Sequence, residues 1–255
     1  MDTQTQKIAL ITGGSRGLGR NTAESLAAKG VDLVITYHSR VEEAQAVVAA
    51  IQARGRKAVA LQLDTGATKT FADFVERLNK ALQNTWSRSS FDFLVNNAGI
   101  SHHAAFDKVT EEDLDSLYQV HVKGVFFLTQ KLLPLMNDGG RIVMLSSGTT
   151  RIIFPGSGAY ASMKGAIETL ALYLAKELGP RRIAVNTVAP GAIATDFSGG
   201  MVRDNPEVNK VVAGMTALGR AGVPDDIGPM IASLLSEDNR WVNAQRIEVS
   251  GGMSI

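Results

Sequence analysis

The sequence contains no cysteine. A disulfide framework, a zinc–thiolate site, an iron–sulfur cluster and a cysteine nucleophile are therefore all excluded. The chain also carries little excess charge, because its 26 basic and 25 acidic residues nearly cancel. A protein that coats nucleic acid needs a strongly basic surface, so this balance argues against a nucleic-acid partner.

Long apolar runs are missing as well. The apolar segments are short and interrupted, so none resembles a membrane-spanning helix, and the polar N-terminus lacks a signal-peptide pattern. We therefore expect a soluble, cytoplasmic protein without a membrane partner. The 255 residues suffice for one large α/β domain with a sizeable core. Because the composition stays even, we predict a single domain over 1–255, with a flexible end over 1–6.

Short apolar runs alternate with helical periodicity along the whole chain. The apolar runs predict strands over 8–11, 31–37, 58–63, 91–96, 141–145, 183–188 and 245–249. The periodic segments predict helices over 17–29, 41–54, 71–82, 111–136, 157–178 and 224–235. This alternation indicates right-handed parallel βαβ units, with helices on both faces of a doubly wound sheet. The least regular stretch, 195–219, is interpreted as a flexible flap or a plain surface insertion.

A glycine-rich turn joins the first predicted strand to the first helix. Gly13, Gly17 and Gly19 follow the pattern Gly-x-x-x-Gly-x-Gly, which differs from the commoner dinucleotide fingerprint. Such a turn lets the backbone approach a pyrophosphate, and the helix N-terminus offers free N–H groups and positive partial charge. The position between strand and helix favours a dinucleotide site over a glycine-rich turn without function.

The end of the second predicted strand lacks the acidic residue that usually binds a ribose 2′-hydroxyl. Arg16, Arg40 and the hydroxyl of Ser39 can instead bind a 2′-phosphate, which a carboxylate would repel. This pattern favours NADP(H) over NAD(H), unless the two arginines are merely solvated. Asp64, after the third strand, is either an acceptor for the adenine amino group or an acid of a local turn.

Tyr160 and Lys164 stand four residues apart and therefore share one face of a predicted helix. Ser146 and Ser147 end the fifth predicted strand, and open parallel sheets bind ligands beyond the carboxyl ends of their strands. Reduction of a carbonyl needs a proton donor, and a neighbouring ammonium is expected to lower the pKa of Tyr160 toward working pH. A serine in the same crevice can hold the carbonyl oxygen.

Together these motifs resemble the short-chain dehydrogenase/reductase family over nearly the whole chain. The glycine loop, the Asn-Asn-Ala-Gly sequence at 96–99 and the segment 190–195 occur in the family's order. In the family the catalytic serine stands thirteen residues before the tyrosine, which selects Ser147 rather than Ser146. The resemblance implies a single-domain Rossmann fold with a seven-stranded parallel sheet, and often a homotetramer.

The resemblance also implies roles for individual residues. Tyr160 would be the general acid and base, Lys164 would bind the nicotinamide ribose, and Ser147 would orient the carbonyl. His121 stands where the family usually has a catalytic asparagine, and it is interpreted as a working replacement rather than a cause of inactivity. The implied coenzyme contacts are Gly13, Ser15, Arg16, Gly17, Leu18, Gly19, Tyr37, His38, Ser39, Arg40, Asp64, Thr65, Asn97, Ala98, Gly99, Tyr160, Lys164, Pro190, Gly191, Ile193 and Thr195.

In this family the pocket walls come from the loops after residues 99 and 147 and from the flap. The pocket residues so implied are His102, Thr149, Ile153, Phe154, Phe197 and Met201. This mostly apolar set suits a hydrophobic or aryl ketone, and no metal is expected. We therefore predict an NADPH-dependent reductase of small-molecule ketones or oxo-esters.

Several alternatives stay open at this point. A 3-oxoacyl-acyl-carrier-protein reductase would need a basic patch at the pocket mouth, for which Arg151, Arg203 and Lys210 are candidates. A sugar-alcohol or steroid dehydrogenase would use the same catalytic residues on another substrate. An inactive NADP-binding regulator is the alternative from a different class, and the His121 departure is its only support.

Overall fold

Seven parallel strands form one sheet in the computed structural model, which describes residues 6–255. The strands are β1 (Ile8–Ile11), β2 (Asp32–Tyr37), β3 (Ala58–Gln62), β4 (Phe91–Asn96), β5 (Met136–Leu145), β6 (Ala184–Pro190) and β7 (Arg246–Val249). Their order across the sheet is β3-β2-β1-β4-β5-β6-β7, and every neighbouring pair is parallel. The predicted doubly wound, seven-stranded Rossmann sheet is thus confirmed, with its switch point between β1 and β4.

Helices cover both faces of the sheet. They are α1 (Gly17–Ala28), α2 (Val41–Gln52), α3 (Phe71–Trp86), α4 (Glu111–Tyr118), α5 (Gly124–Leu132), α6 (Gly158–Glu177), α7 (Met201–Asp204), α8 (Pro206–Met215) and α9 (Gly228–Leu234). The apolar faces of α1, α2 and α9 form one core, and those of α3, α5 and α6 form the other. Within residues 6–255, none of the helices has both the length and the apolar character needed to cross a bilayer.

Strand β1 shows why an apolar run without alternation folds as a central strand. Ala9 and Ile11 belong to the core beneath α1, whereas Ile8 and Leu10 belong to the core beneath α3. Successive side chains of a strand point to opposite faces, so a strand covered by helices on both sides must be apolar throughout. Burial of these side chains on both faces is the main stabilising contribution of such a strand.

The predicted helix over 111–136 is interrupted in the structure. One π-helical turn (Gln119–Lys123) separates α4 from α5, and Met136 already belongs to β5. Gly124 begins α5 where the chain passes directly against the backbone carbonyl of Thr65, which leaves no room for a side chain. The extra residue of a π turn rotates the side chains that follow it, and such turns often lie at functional sites. Here the turn contains His121.

The stretch 195–219, predicted to be irregular, contains α7 and α8. Asn205 caps α8, because its side-chain oxygen accepts the N–H groups of Glu207 at 3.0 Å and Val208 at 3.2 Å. An Asn followed by Pro206 at the first helical position is a recognisable start signal that the sequence interpretation missed. The predicted flap therefore contains two helices, α7 and α8.

Of the predicted flexible stretch 1–6, the structure describes Gln6. Residues 1–5 lie outside the described residues. Gln6 is held to the rest of the fold: its side-chain oxygen accepts from Arg56 at 3.1 Å, and its carbonyl accepts from Arg88 at 2.6 Å. These contacts attach the start of β1 to the loops at the amino ends of the strands.

Candidate active site

A cavity of about 680 Å³ opens at the carboxyl ends of the strands, beside the switch point of the sheet. It extends from the glycine-rich turn after β1, past the ends of β4 and β5, to the helical flap. Every catalytic, coenzyme and pocket residue that the sequence predicts lines this cavity, with the exception of Ile153. Residues from seven separate segments thus meet in one crevice, as expected for an open parallel sheet.

Ile153 corrects the predicted pocket. Its side chain is 80% exposed, whereas Ile152 is 5% exposed and lines the cavity. A short helical turn over 148–150 causes this difference, because the N–H of Ile152 bonds to the carbonyl of Gly148 at 2.8 Å. That turn directs Ile152 toward Val212 and Met253, in a small apolar cluster beneath the pocket.

The glycine-rich turn is fastened to the end of β4. The hydroxyl of Thr12 accepts the N–H groups of Asn97 at 2.9 Å and Ala98 at 3.0 Å. The side-chain amide of Asn97 in turn donates to the carbonyls of Thr12 at 2.8 Å and Gly13 at 3.1 Å. Gly13 has a φ of +66°, and a side chain at Gly19 would collide with the Gly13 carbonyl. The turn is therefore a preformed cradle of bare backbone.

Both arginines predicted to bind a 2′-phosphate have carboxylate partners. Arg16 Nη1 lies 2.5 Å from Asp196 Oδ2, and Arg40 Nη1 lies 2.6 Å from Glu43 Oε1. Both guanidinium groups are about half exposed, and exposed ion pairs of this kind contribute little to stability. Asp64 accepts the N–H of Gly66 at 2.8 Å, so it acts as the acid of a local turn while it lines the cavity.

Three of the four predicted catalytic residues, Ser147, Tyr160 and Lys164, lie together in the cavity. Tyr160 and Lys164 project from successive turns of α6, and Ser147 follows β5. Lys164 Nζ donates to the carbonyl of Leu145 at 2.7 Å and lies 5.6 Å from the centroid of the Tyr160 ring. Ser147 Oγ accepts from Thr149 through its N–H at 3.2 Å and its hydroxyl at 3.0 Å.

The direction of the Tyr160 pKa shift is opposite to the predicted one. Burial raises the pKa of Tyr160 to about 12, and the hydrogen bond with Ser147 opposes this rise. Burial also lowers the pKa of Lys164 to about 7, so its ammonium is only partly populated at neutral pH. Removal from water thus outweighs the attraction between the two groups, since each charged form loses its hydration.

His121 occupies the π turn directly behind Tyr160. Its side chain is 1% exposed, and the two rings meet edge to face with centroids 5.4 Å apart. His121 Nε2 lies 2.7 Å from the carbonyl oxygen of Ile100 and 3.2 Å from the backbone nitrogen of the same residue. The shorter contact favours the tautomer with its N–H at Nε2, because that proton can then be donated to the carbonyl. Burial, together with the charge of Lys164, lowers the pKa of His121 to about 3. A neutral imidazole therefore presents Nδ1 as an acceptor, and Nδ1 has no partner within residues 6–255.

Gly99 makes room for this histidine. A Cβ at Gly99 would lie 2.7 Å from His121 Cε1, closer than two carbon atoms tolerate. The Asn-Asn-Ala-Gly sequence thus has two structural roles. Asn97 hydrogen-bonds to the glycine-rich turn, and Gly99, which lacks a side chain, leaves space for the His121 ring. Both roles depend on residues far away in the sequence: residues 12–13 for Asn97, and residue 121 for Gly99.

The outer part of the cavity is an apolar pocket. The Phe197 ring lies 6.1 Å from the Tyr160 ring, centroid to centroid, and Met201 lines the same wall. Sequence reasoning missed three further wall residues, Val208, Val212 and Met253. The first two form an i, i+4 stripe on α8, a signal that becomes readable once Asn205 is identified as a helix cap.

Comparisons with known proteins agree with this geometry. The family model described as enoyl-(acyl carrier protein) reductase matches residues 13–254. Hydroxynaphthalene reductase-like protein Arp2 from Metarhizium brunneum is 36% identical over 96% of this chain and 94% of its own length. The crystal structure of angucycline C-6 ketoreductase LanV with bound NADP superposes with a TM-score of 0.92 at 36% identity, covering 97% of this chain and 95% of that one.

A further solved structure, the short-chain dehydrogenase/reductase from Serratia marcescens, superposes with a TM-score of 0.90 at 32% identity. The match covers 98% of this chain and 99% of the Serratia protein. The serine, the tyrosine–lysine pair and the glycine-rich turn are all present and face one cavity. The chain therefore belongs to the short-chain dehydrogenase/reductase family of oxidoreductases.

Proposed function

We propose that this protein is an NADPH-dependent reductase of hydrophobic ketones or oxo-esters, which it converts to secondary alcohols. The observation that carries the proposal is the meeting of Ser147, Tyr160 and Lys164 at the inner end of an apolar cavity. The opposite end of the same cavity is the backbone cradle after β1. The names of similar proteins, a hydroxynaphthalene reductase-like protein and an angucycline ketoreductase, point to the same reaction class.

The described residues fit NADP(H). A Cβ at Gly19 would fill the cradle, so the bare backbone and the N-terminus of α1 are left to bind the pyrophosphate. Arg16 and Arg40 would bind the 2′-phosphate by exchanging their exposed carboxylate partners for it. Lys164 would hold the nicotinamide ribose. The solved ketoreductase with 36% identity contains NADP, which supports the same coenzyme here.

Tyr160 supplies the proton in the proposed mechanism. When bound, NADPH supplies the hydride that adds to the carbonyl carbon. The hydroxyl groups of Ser147 and Tyr160 hold the carbonyl oxygen, and Tyr160 is protonated because burial raises its pKa to about 12. Tyr160 donates that proton to the developing alkoxide, which leaves as the alcohol. Protonated Lys164, 5.6 Å from the ring centroid, stabilises the phenolate that remains until it is reprotonated.

His121 takes the place of the family's asparagine in this scheme. Its Nε2 anchors the backbone of Ile100, and its buried Nδ1 accepts a hydrogen bond in the path that reprotonates Tyr160. We expect His121→Asn to keep kcat within about tenfold, because an amide can both donate and accept. His121→Leu, which can do neither, should lower kcat by about 10²-fold, the lower end for loss of a proton-transfer group.

The measurement is steady-state reduction of an aryl ketone, together with the NADPH Kd from fluorescence titration. The Kd should stay unchanged in both variants, because the ring lies behind Tyr160 rather than in the cradle. Full kcat in His121→Leu would contradict the proposed role.

Arg40 provides the prediction on coenzyme preference. A charge-assisted hydrogen bond contributes about 1.5–3 kcal/mol, so Arg40→Ala should raise the NADPH KM by about ten- to a hundredfold. The NADH KM should not change, since NADH lacks the phosphate. Arg54→Ala is the matched control, because Arg54 follows the same helix, α2, and does not line the cavity. An unchanged NADPH KM in Arg40→Ala would show that Arg40 does not bind the phosphate.

The second candidate is a 3-oxoacyl-acyl-carrier-protein reductase. The description of the matching family model, enoyl-(acyl carrier protein) reductase, names an acyl-carrier-protein substrate but the reduction of a C=C bond, so it supports the partner of this candidate and not its carbonyl chemistry. The two arginines proposed as part of a basic patch at the pocket mouth form ion pairs within the chain. Arg151 Nε lies 2.7 Å from a Glu248 carboxylate oxygen, and Arg203 Nε lies 2.7 Å from Asp204. An acidic carrier protein would therefore meet two arginines that their own carboxylates already neutralise.

The deciding experiment follows the loss of reduced-nicotinamide absorbance with NADPH and NADH in parallel. The substrates are an aryl ketone, a β-keto ester, a 3-oxoacyl thioester and a keto sugar. Turnover of the ketone or keto ester with NADPH is the expected result. Turnover confined to the thioester would favour the carrier-protein reductase. NADPH binding without turnover of any substrate would overturn the proposal and favour an inactive regulator. The homotetramer and the cytoplasmic location stay predictions.

A further inference from the structure

We propose that Glu168 and Arg246 form a positioning pair that holds the catalytic serine, Ser147, in its working orientation. The inference rests on the proposed function, because it assigns a task that matters only if Ser147 orients a carbonyl. Neither Glu168 nor Arg246 lines the cavity, so neither touches substrate or coenzyme. They act through Ser146, Thr150 and the backbone of Ser147.

Glu168 continues the catalytic face of α6. It follows Lys164 by four residues and Tyr160 by eight, so the three side chains lie along one stripe of the helix. One carboxylate oxygen, Glu168 Oε1, accepts three hydrogen bonds: from Ser146 Oγ at 2.7 Å, Thr150 Oγ1 at 2.8 Å and Arg246 Nε at 2.7 Å. Two of these donors flank Ser147 in the chain.

Arg246, at the start of β7, completes the connection. Its Nη2 donates to Thr150 Oγ1 at 2.8 Å and reaches the carbonyl of Ser147 at 3.5 Å. Its Nη1 donates to Glu248 at 3.2 Å, which fixes the guanidinium plane from the other side. The segment around Ser147 is thus held before it, after it and at its own carbonyl by one partly shielded ion pair.

The position of Ser147 explains why it needs this support. Its backbone is extended, with φ −158° and ψ 149°, and the helical turn 148–150 begins directly after it. The residue therefore stands at a junction, where neither the β5 ladder nor a long helix holds it. A displacement of about 1 Å in a group that orients the reacting carbonyl can cost about 10²-fold in rate.

A double-mutant cycle tests the positioning role. We expect Glu168→Ala to lower kcat for an aryl ketone by about 10- to 10²-fold, with the NADPH Kd unchanged. Glu168→Gln should recover part of the loss, since its amide oxygen still accepts from Ser146 and Thr150. In a Ser147→Ala background, Glu168→Ala should cause no further loss, because residues that act as a unit are not additive. Equal losses in both backgrounds would overturn the proposal.

Glu177→Ala is the matched control, an exposed glutamate at the end of the same helix, and it should keep wild-type kcat. Hydrogen exchange of the segment 148–152 gives a readout independent of turnover. The N–H groups of Arg151 and Ile152 bond to the carbonyl of Gly148 at 3.0 and 2.8 Å. They should exchange faster in Glu168→Ala than in wild type or in Glu177→Ala.

The two readouts separate failure of the inference from failure of the proposed function. If the amides of 148–152 exchange at the wild-type rate in Glu168→Ala, the inference is overturned, even if kcat falls. Faster exchange with unchanged kcat shows that Glu168 orders the segment without affecting catalysis, which also overturns it. If the wild-type enzyme reduces none of the ketones, the proposed function falls and the positioning of a catalytic serine falls with it. If Glu168→Ala does not fold, the same comparisons apply to Glu168→Gln.

Discussion

Replacing Tyr160 with phenylalanine should lower kcat for ketone reduction by about 10²- to 10⁴-fold, the usual contribution of a general acid. The hydroxyl of Tyr160 is the group placed to give the alkoxide its proton, and burial holds its pKa at about 12, so it stays protonated across the working range. The ring itself remains, so the edge-to-face contact with His121 at 5.4 Å and the packing against Phe197 at 6.1 Å should persist. The variant should therefore fold and should bind NADPH with nearly unchanged Kd.

The measurement compares single-turnover reduction of an aryl ketone with fluorescence titration of NADPH. Tyr173→Phe is the control: Tyr173 is on the same helix, and its side chain is 65% exposed. It should keep wild-type kcat. If Tyr160→Phe retained full activity, the proton would have to come from another group and the proposed mechanism would be wrong.

Replacing Lys164 with methionine should abolish most of the turnover and should also change stability in a direction that depends on pH. Turnover should fall by about 10²-fold or more, because the positive charge that stabilises the Tyr160 phenolate is then lost. The stability effect arises because burial lowers the pKa of Lys164 from 10.5 to about 7. Between these two values the unfolded chain binds a proton that the folded protein does not, so the wild-type stability rises with pH across that window.

The sign of the stability change should therefore reverse. At pH 6 the folded wild type must hold a charged ammonium out of water, and methionine removes that penalty, so Tm should rise by several degrees. At pH 10 the folded wild type holds a neutral amine at little cost. The variant then only loses the hydrogen bond to the Leu145 carbonyl at 2.7 Å, which is worth about 1–3 kcal/mol when the acceptor stays buried. Tm should fall.

Thermal unfolding at pH 6 and pH 10 tests this reversal. The control is Lys176→Met, an exposed lysine on the same helix, which should change Tm little at either pH. An equal change of Tm at the two pH values in Lys164→Met would mean that the buried amine does not titrate in this window.

Local patterns predicted most of the fold, and the family resemblance supplied most of the candidate site residues. The run Ile8–Ile11 identifies a strand buried on both faces, and the glycine spacing after it identifies the turn that Thr12 and Asn97 hold in place. Tyr160 and Lys164 are recognisable because four residues make one helical turn. Two of these predictions were wrong. The helical turn at 148–150 places Ile152 rather than Ile153 in the pocket, and the Asn205–Pro206 start signal of α8 was not recognised in the sequence.

The order of strands and helices follows from neighbours in the chain, since periodicity, glycine spacing and capping act over a few residues. The chemistry of those residues depends on partners far away. Arg16 pairs with Asp196 across 180 residues, and Glu168 pairs with Arg246 across 78. Burial reverses the expected pKa shift of Tyr160, and the shorter of two contacts with the Ile100 backbone favours the Nε2–H tautomer of His121. Desolvation and long-range hydrogen bonds exist only once the chain is packed, so no local pattern can contain them.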